Sequence, residues 1–301
     1  MKKLHRLAVF IILFFIVTAP IWHADNVNKF FSGLKREEFN IESLLKNKAE
    51  SEDLLNVHFI DVGQGDCSFI ELPNGENMLI DAGEKTESDK VIKYIKQQGA
   101  EKIDFLIGTH PHSDHIGGLV QVINEFEIGK MYMPKAGNST KTFENLLDQI
   151  EENNVDVYTA RAGVLLYEDE KIKIQILAPV FSDYESLNDY SVVIRIDYGE
   201  TSFLFMGDAE ELSENEIKED VNCDVLKVGH HGSGTSSSNQ FLSRARPKFA
   251  VISVGENNDY GHPSKSVLDR LSRIGAEILR TDKSGDIIIK SDGLNIFVKE
   301  D

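Results

Sequence analysis

Residues 109–118 of this chain read Thr-His-Pro-His-Ser-Asp-His-Ile-Gly-Gly, so three imidazoles and a carboxylate fall within six residues at His110, His112, Asp114 and His115. Such a spacing constrains the fold, because side chains this close in sequence meet at one point only if the backbone turns sharply between rigid elements. The apolar run 103–107 before it reads as a buried strand, and 116–126 after it reads as a helix. On a loop leaving that strand, His110 and His112 can converge on one ion, while Asp114 and His115 can serve a second. Imidazole nitrogen and carboxylate oxygen are the donors that zinc and related divalent ions take. The competing reading is a polar turn carrying chance histidines. With only 9 histidines in 301 residues, the clustering argues for metal.

The pattern His-x-His-x-Asp-His resembles the signature of the metallo-β-lactamase-fold superfamily. That resemblance implies an α/β architecture, a four-layer αβ/βα sandwich, with the metals at one edge between the two sheets. Further stretches narrow it: Asp-Val-Gly-Gln-Gly-Asp at 61–66, Leu-Ile-Asp-Ala-Gly-Glu at 79–84, Leu-Lys-Val-Gly-His-His-Gly-Ser at 226–233 and Gly-His-Pro-Ser at 261–264. In these the chain is similar to the hydrolase domain of ComEC-type DNA-uptake proteins and their stand-alone relatives, over roughly 54–298.

The resemblance implies that Asp208, at the end of the apolar strand 202–206, bridges two ions, and that Asp81 orients groups beneath them. Taken alone, Asp208 reads as a helix N-cap and Asp81 as a turn residue. One of His230 and His231 is then the last ligand of the second metal, and the other contacts substrate or shuttles a proton. The pattern departs from many members at one point: no histidine stands between His115 and His230. The first ion is thereby short of a protein ligand, with Asp189, Asn188 or water as candidates to fill the gap, and two-ion occupancy is in question. Asp189, Ser191, Ser233 and His262 are candidate substrate contacts. Lys227 is either a solvated strand residue or a cation for a substrate phosphate. The expected cofactor is a pair of divalent ions, zinc or manganese. The expected mechanism is hydrolysis by a metal-bound hydroxide, with Asp114 orienting it and His231 or Lys227 assisting the leaving group.

Around this core the chain divides into three parts. Lys2, Lys3 and Arg6 precede an uncharged run over 7–19, the layout of an export signal. The run is short of the ~20 residues of a comfortable span, so residues 1–24 are expected to be a cleaved signal peptide or an N-terminal membrane anchor through 7–22. Residues 25–53 read as a polar tether and 54–301 as the hydrolase domain. Beyond the metal motif, 131–133, 142–152 and 155–158 continue a strand–helix–strand alternation. Strands follow at 171–177, 191–198, 202–206, 224–228 and 248–254, with a final group over 277–298. Cys67 and Cys223 both lie in apolar strand contexts and are expected to be free thiols.

The charge limits the substrate. The chain carries −18 at neutral pH, and loss of residues 1–24 removes three basic and no acidic residues, giving −21. Such a charge opposes polyanion binding, which depends on lysine and arginine neutralising phosphates. A local basic patch of Lys227, Arg244, Arg246, Lys248 and Lys265 is the expected offset. The expected activity is an exported phosphodiesterase, a nuclease first and a small-phosphodiester hydrolase second. The alternatives are a lactonase or thioesterase with the same metals, and a non-catalytic metal-binding module.

Overall fold

The computed structural model describes residues 54–300. The readings of 1–24 and 25–53 lie outside the described residues. The chain first lays down β1 (Leu55–Phe59), β2 (Ser68–Glu71) and β3 (Asn77–Ile80), then alternates α1 (Ser88–Gln98), β4 (Lys102–Ile107), α2 (Ser113–Ile116), α3 (Leu119–Glu125), β5 (Glu127–Met133), α4 (Lys141–Glu152) and β6 (Val157–Thr159). The second half adds β7 (Leu165–Glu168), β8 (Ile172–Ala178), β9 (Val193–Tyr198), β10 (Thr201–Phe205), α5 (Glu211–Glu216), β11 (Val225–Lys227), α6 (Asn239–Ala245), β12 (Phe249–Ile252), α7 (Lys265–Arg273), β13 (Glu277–Arg280) and α8 (Thr281–Ser284). It ends with β14 (Ile287–Ser291) and β15 (Ile296–Glu300).

These strands form an eight-stranded sheet, β15-β14-β1-β2-β3-β4-β5-β6, and a seven-stranded sheet, β13-β12-β11-β10-β9-β8-β7. Strand alternation deals the apolar residues into layers. Ile70 and Met78 of the first sheet face Phe203, Phe205 and Val251 of the second in a shared core. Phe69 and Leu79 point the other way, onto Val91 and Ile95 of α1 and Leu119 and Val122 of α3. Leu204, Leu226 and Ala250 likewise meet Phe241 of α6 and Leu271 of α7. Both faces of both sheets are thus covered, which explains why the central strands read as nearly continuous apolar runs. Each large side chain so buried contributes about 1.5–3 kcal/mol. The result is the expected four-layer α/β sandwich.

Two features of this frame position the loops that matter. β3, β4, β5 and β6 run parallel, as do β10, β11, β12 and β13. In each group the carboxyl ends, and the loops that leave them, therefore share one edge. The expected single helix over 116–126 is broken instead into α2 and α3. Asp114 and His115 are themselves helical, inside α2. The break falls at Gly117 and Gly118, where a Cβ would lie 2.4 Å from the Ser113 carbonyl and 2.3 Å from that of Ala82. The glycines let the loop after β3 press against the histidine loop.

Candidate metal centre

Asp81 is the hidden post of the site. It is buried, with a left-handed φ of 57°, and its two oxygens accept from the Thr109 amide at 2.8 Å, the Thr109 hydroxyl at 2.6 Å and His115 Nδ1 at 2.8 Å. Tying Nδ1 down aims His115 Nε2 the other way. A second imidazole is held at the same atom: His231 Nδ1 donates to the Ser253 carbonyl at 3.0 Å, with Asp66 Oδ1 in ion-pair range at 3.2 Å. His231 Nε2 is therefore free to face His115 Nε2 across the site. A carboxylate behind each imidazole fixes ring orientation and raises ligand basicity, the usual support of a metal-binding histidine.

Two groups of donors result. His115 Nε2 stands 3.3 Å from Asp208 Oδ1, and His231 Nε2 stands 3.2 Å from Asp114 Oδ2 and 3.7 Å from Asp208 Oδ1. On the other side of Asp208, its Oδ2 lies 3.7 Å from His110 Nε2 and 3.7 Å from His230 Nε2, with His112 Nδ1 2.9 Å from His110 Nε2. The sets His110–His112–Asp208 and Asp114–His115–His231 each bring their ligand atoms within 4.8 Å of one another. Asp208 offers one oxygen to each side.

The donor atoms fit a cation. His115 Nε2, His231 Nε2 and Asp208 Oδ1 are all buried without a hydrogen-bond partner. An orphaned buried polar group costs about 1–3 kcal/mol, so three together at one point are stable only with something positive between them. The same carboxylates attract positive charge: burial opposes charge on His231, but Asp208 and Asp66 outweigh it and lift the imidazole to about 10. His110 behaves oppositely, because burial and the neighbouring His115 hold it well below its usual value as a neutral donor. The mixed nitrogen and oxygen set suits zinc, manganese or iron.

The adjacent histidines reach opposite sides by strained backbone. His230 and His231 both have φ of 51°, a conformation costing about 1–2 kcal/mol per non-glycine residue. His230 Nδ1 rests against Glu210 Oε1 at 3.4 Å and Thr235 Oγ1 at 3.3 Å, so its Nε2 turns to Asp208 Oδ2. A cleft of about 440 Å³ opens over the site, lined by Gln64, His112, Asn138, Thr140, His230 and His262 among others.

Several expectations need correction. Lys227 is neither solvated nor facing the cleft: it is 2 % exposed, and its Nζ donates to Asp66 Oδ2 at 2.7 Å and to the Val228 carbonyl at 3.1 Å. It acts on His231 through Asp66. Asp189 is buried with Oδ1 accepting from the Glu210 and Ser213 amides, both at 3.3 Å, and so shapes the loop after Asp208. Ser191 is buried with its Oγ accepting from the Asp208 amide at 3.0 Å and lying 3.4 Å from His110 Nδ1. Ser233 pairs with the Thr235 hydroxyl at 3.0 Å. None of these four lines the cleft, whereas His262 does. The proposed basic patch also dissolves: Lys248 pairs with Asp224 and Lys265 with Asp269, while Arg244 and Arg246 donate to main-chain carbonyls. Sequence reasoning gave no role to Asp66 or Glu210. Asp66 had a signal, a carboxylate closing the Gly-Gln-Gly turn at 63–65; Glu210 had none.

A model of the metallo-beta-lactamase superfamily matches residues 60–256. The chain belongs to that superfamily. That fold in general implies a metal-dependent hydrolase. Among relatives, it is 34 % identical over 251 residues to ComE operon protein 3 of Bacillus subtilis, covering 77 % of this chain and 32 % of that protein. It is 29 % identical over 251 residues to Recombination protein 2 of Haemophilus influenzae, covering 81 % and 30 %. Both are ComEC-type competence proteins, and the chain spans about a third of the length of each. Among solved structures, CmlA, a diiron beta-hydroxylase from Streptomyces venezuelae, shares the fold with a TM-score of 0.55 at 15 % identity, over 79 % of this chain and 54 % of that one.

Proposed function

We propose that this chain is a metal-dependent phosphodiesterase acting on nucleic acid. The observation that carries the reading is the cleft over the donor cluster: it is lined by amide, hydroxyl, imidazole and carboxylate groups and one tyrosine, with no aliphatic side chain. A lactonase or thioesterase needs an apolar acyl pocket over the reacting centre, and the apolar side chains Val180 and Phe181 line a separate cleft. Hydrogen-bonding walls suit the oxygens of a phosphodiester. One relative is named for recombination and both are of the competence type, processes that handle DNA. A small phosphodiester is the second reading, favoured by the net charge of −18.

In this reading His110, His112, His230 and Asp208 would hold one divalent ion, and Asp114, His115, His231 and Asp208 the other. Ions held there would supply a lowered pKa of bound water, towards ~7, and positive charge to offset that developing on the phosphoryl oxygens. His230 supplies the donor that the absent third histidine leaves wanting, with Glu210 behind its Nδ1. Asp81 holds His115 and the Asp66–Lys227 pair holds His231, so neither ring has to reorganise during turnover. His262, kept below its usual pKa by burial, presents a neutral imidazole to the cleft and can donate one hydrogen bond to substrate. Export of the domain, by a cleaved or retained segment within 1–24, is part of the proposal and rests on the sequence.

The test is hydrolysis of single-stranded DNA, double-stranded DNA and bis(p-nitrophenyl) phosphate by the zinc- or manganese-loaded protein, with Asp208→Ala as control. DNA cleavage that the control abolishes is the expected result. Turnover of the small diester alone would favour the second reading. Turnover confined to lactones or thioesters, or inertness of a fully loaded protein, would overturn both.

A further inference from the structure

Beyond the metal cleft, a second cleft of about 330 Å³ opens between Lys135, Arg161, Pro179, Val180, Phe181 and Tyr190, among others. Its position follows from the parallel strands. Ile107 of β4 pairs with Tyr132 of β5, and Met133 of β5 with Thr159 of β6. The chain leaves β4 as the histidine loop, β5 as Pro134–Lys135 and β6 as Ala160–Arg161, all at one edge of the first sheet. The segment after β5 touches both clefts: Lys135 lines the second and Asn138 the first. Three residues span at most about 10 Å, so the two clefts adjoin.

The second cleft brings two cations and an aromatic ring together. In a chain of net charge −18, both its cations are exposed, and neither forms an ion pair among the described residues. The cations expected to form the patch are, by contrast, already paired or bonded to main chain. Phe181 is 61 % exposed, the most exposed phenylalanine among the described residues. Its loop is nonetheless fastened. The Tyr184 hydroxyl accepts from the Val180 amide at 3.2 Å and the Phe181 amide at 2.9 Å, and donates to Glu216 at 2.6 Å. The Tyr184 amide in turn donates to the Tyr190 hydroxyl at 3.0 Å. An aromatic ring held out in solvent on a pinned loop, beside two unpaired cations, is arranged in advance for a flat, anionic ligand.

We propose that this cleft is a subsite for single-stranded nucleic acid: Lys135 and Arg161 take phosphates flanking the linkage in the metal cleft, and Phe181 stacks a base. The assignment rests on the phosphodiesterase reading and narrows its substrate. A base inside a duplex presents only its edge, whereas an unpaired base exposes a face to an aromatic side chain. The subsite also resolves the conflict between a strongly acidic protein and a polyanionic substrate, since attraction is needed only along one edge.

The experiment measures fluorescence anisotropy of a labelled phosphorothioate oligothymidine of about 12 nucleotides with the metal-loaded full chain, across a salt series. Variants are Lys135→Ala, Arg161→Ala, Phe181→Ala and Phe181→Trp, with Lys93→Ala on the exposed face of α1 as a charge control. Loss of stacking in Phe181→Ala should weaken binding roughly 5- to 150-fold. Each lost cation should reduce the slope of log K against log salt by about 0.7. Phe181→Trp should retain affinity, and its indole fluorescence should be quenched on binding. Unchanged affinity in all three alanine variants, weakening by Lys93→Ala as large as by Lys135→Ala, or no binding by the parent protein would overturn the subsite. DNA cleavage with variant-insensitive binding would sink the subsite alone. Cleft-dependent binding without cleavage would leave the subsite standing and sink the nuclease reading.

Discussion

Replacing Lys227 by methionine separates a supporting role from a substrate-facing one. The side chain is 2 % exposed and its partner Asp66 4 % exposed, with Nζ and Oδ2 2.7 Å apart. Burial pushes the Asp66 carboxyl up, but the Lys227 ammonium and His231 more than reverse this and bring it down from 3.8 to about 2. Removing one partner of a buried ion pair costs about 3–5 kcal/mol, because the other charge is left uncompensated. Lys227→Met should therefore destabilise the protein by about 3–5 kcal/mol in urea titrations at pH 7. Asp66 has a depressed folded pKa, so its contribution is present above its unfolded value of 3.8 and disappears as pH falls through about 2. The variant should lose this acid limb. Since His231 leans on Asp66, bound metal should also fall. The double variant Lys227→Met, Asp66→Asn should be less destabilised than the sum of the two singles. If Lys227→Met melts within about 1 kcal/mol of the parent and keeps its metal while losing hydrolysis, the supporting role is refuted and the lysine belongs to the substrate.

Three further outcomes follow from the same geometry. His230→Ala should lower bound manganese from two ions to one and abolish the exchange-coupled signal of a pair in electron paramagnetic resonance, and Glu210→Gln should weaken that site by about 10- to 100-fold. Metal-free protein should lose stability as pH rises, because His231 is lifted from 6.5 to about 10: its contribution is full below 6.5 and gone above about 10. Metal loading should erase that dependence and release protons at pH 7, read by calorimetry in buffers of different ionisation enthalpy. Gly65→Ala should destabilise the protein by at least about 1–3 kcal/mol and impair metal uptake. Its Cβ would lie 2.4 Å from the Asp114 carbonyl, at a φ of 148°. Wild-type metal content in that variant would contradict the close packing of the two loops.

What could be read from the sequence was whatever lay close together along it. His110, His112, Asp114 and His115 announce themselves because one loop delivers them, and the apolar strand before Asp208 marks it as a strand-end carboxylate. The four-layer fold was legible through the family resemblance that this loop carries, while the apolar runs by themselves marked only strands alternating with helices. What stayed hidden was set by distance or by backbone. The partner of Lys227 lies 161 residues away in sequence, so only tertiary structure separates a cation for phosphate from a buried strut. Which of His230 and His231 faces which ion depends on two successive left-handed residues, and strand alternation does not extend through such a turn. Ser191 and Asp189 looked like site residues because they stand where a ligand was expected, yet each is consumed by main-chain amides. The short strand β7 and helix α6 escaped because Leu165 is half exposed and α6 offers just three buried positions.

β1 is not an edge strand: it lies between β2 and β14, and the Asp61 amide, just past its end, is bonded to Asp286 across 225 residues. A nascent chain emerging from its N-terminal side therefore holds an open flank along β1 until the last hairpin, β14–β15, has appeared. Pairings of such separation form slowly, since the loop they close must lose its freedom before the contact returns anything. All of the candidate ligands, from His110 to His231, are released before that hairpin. Assembly thus has a built-in order in which the donors can gather early but the sheet carrying Asp81 and the histidine loop is sealed last. Clipping the final hairpin should yield a chain that still offers every ligand and yet presents a bare strand edge, prone to pair with its own copies.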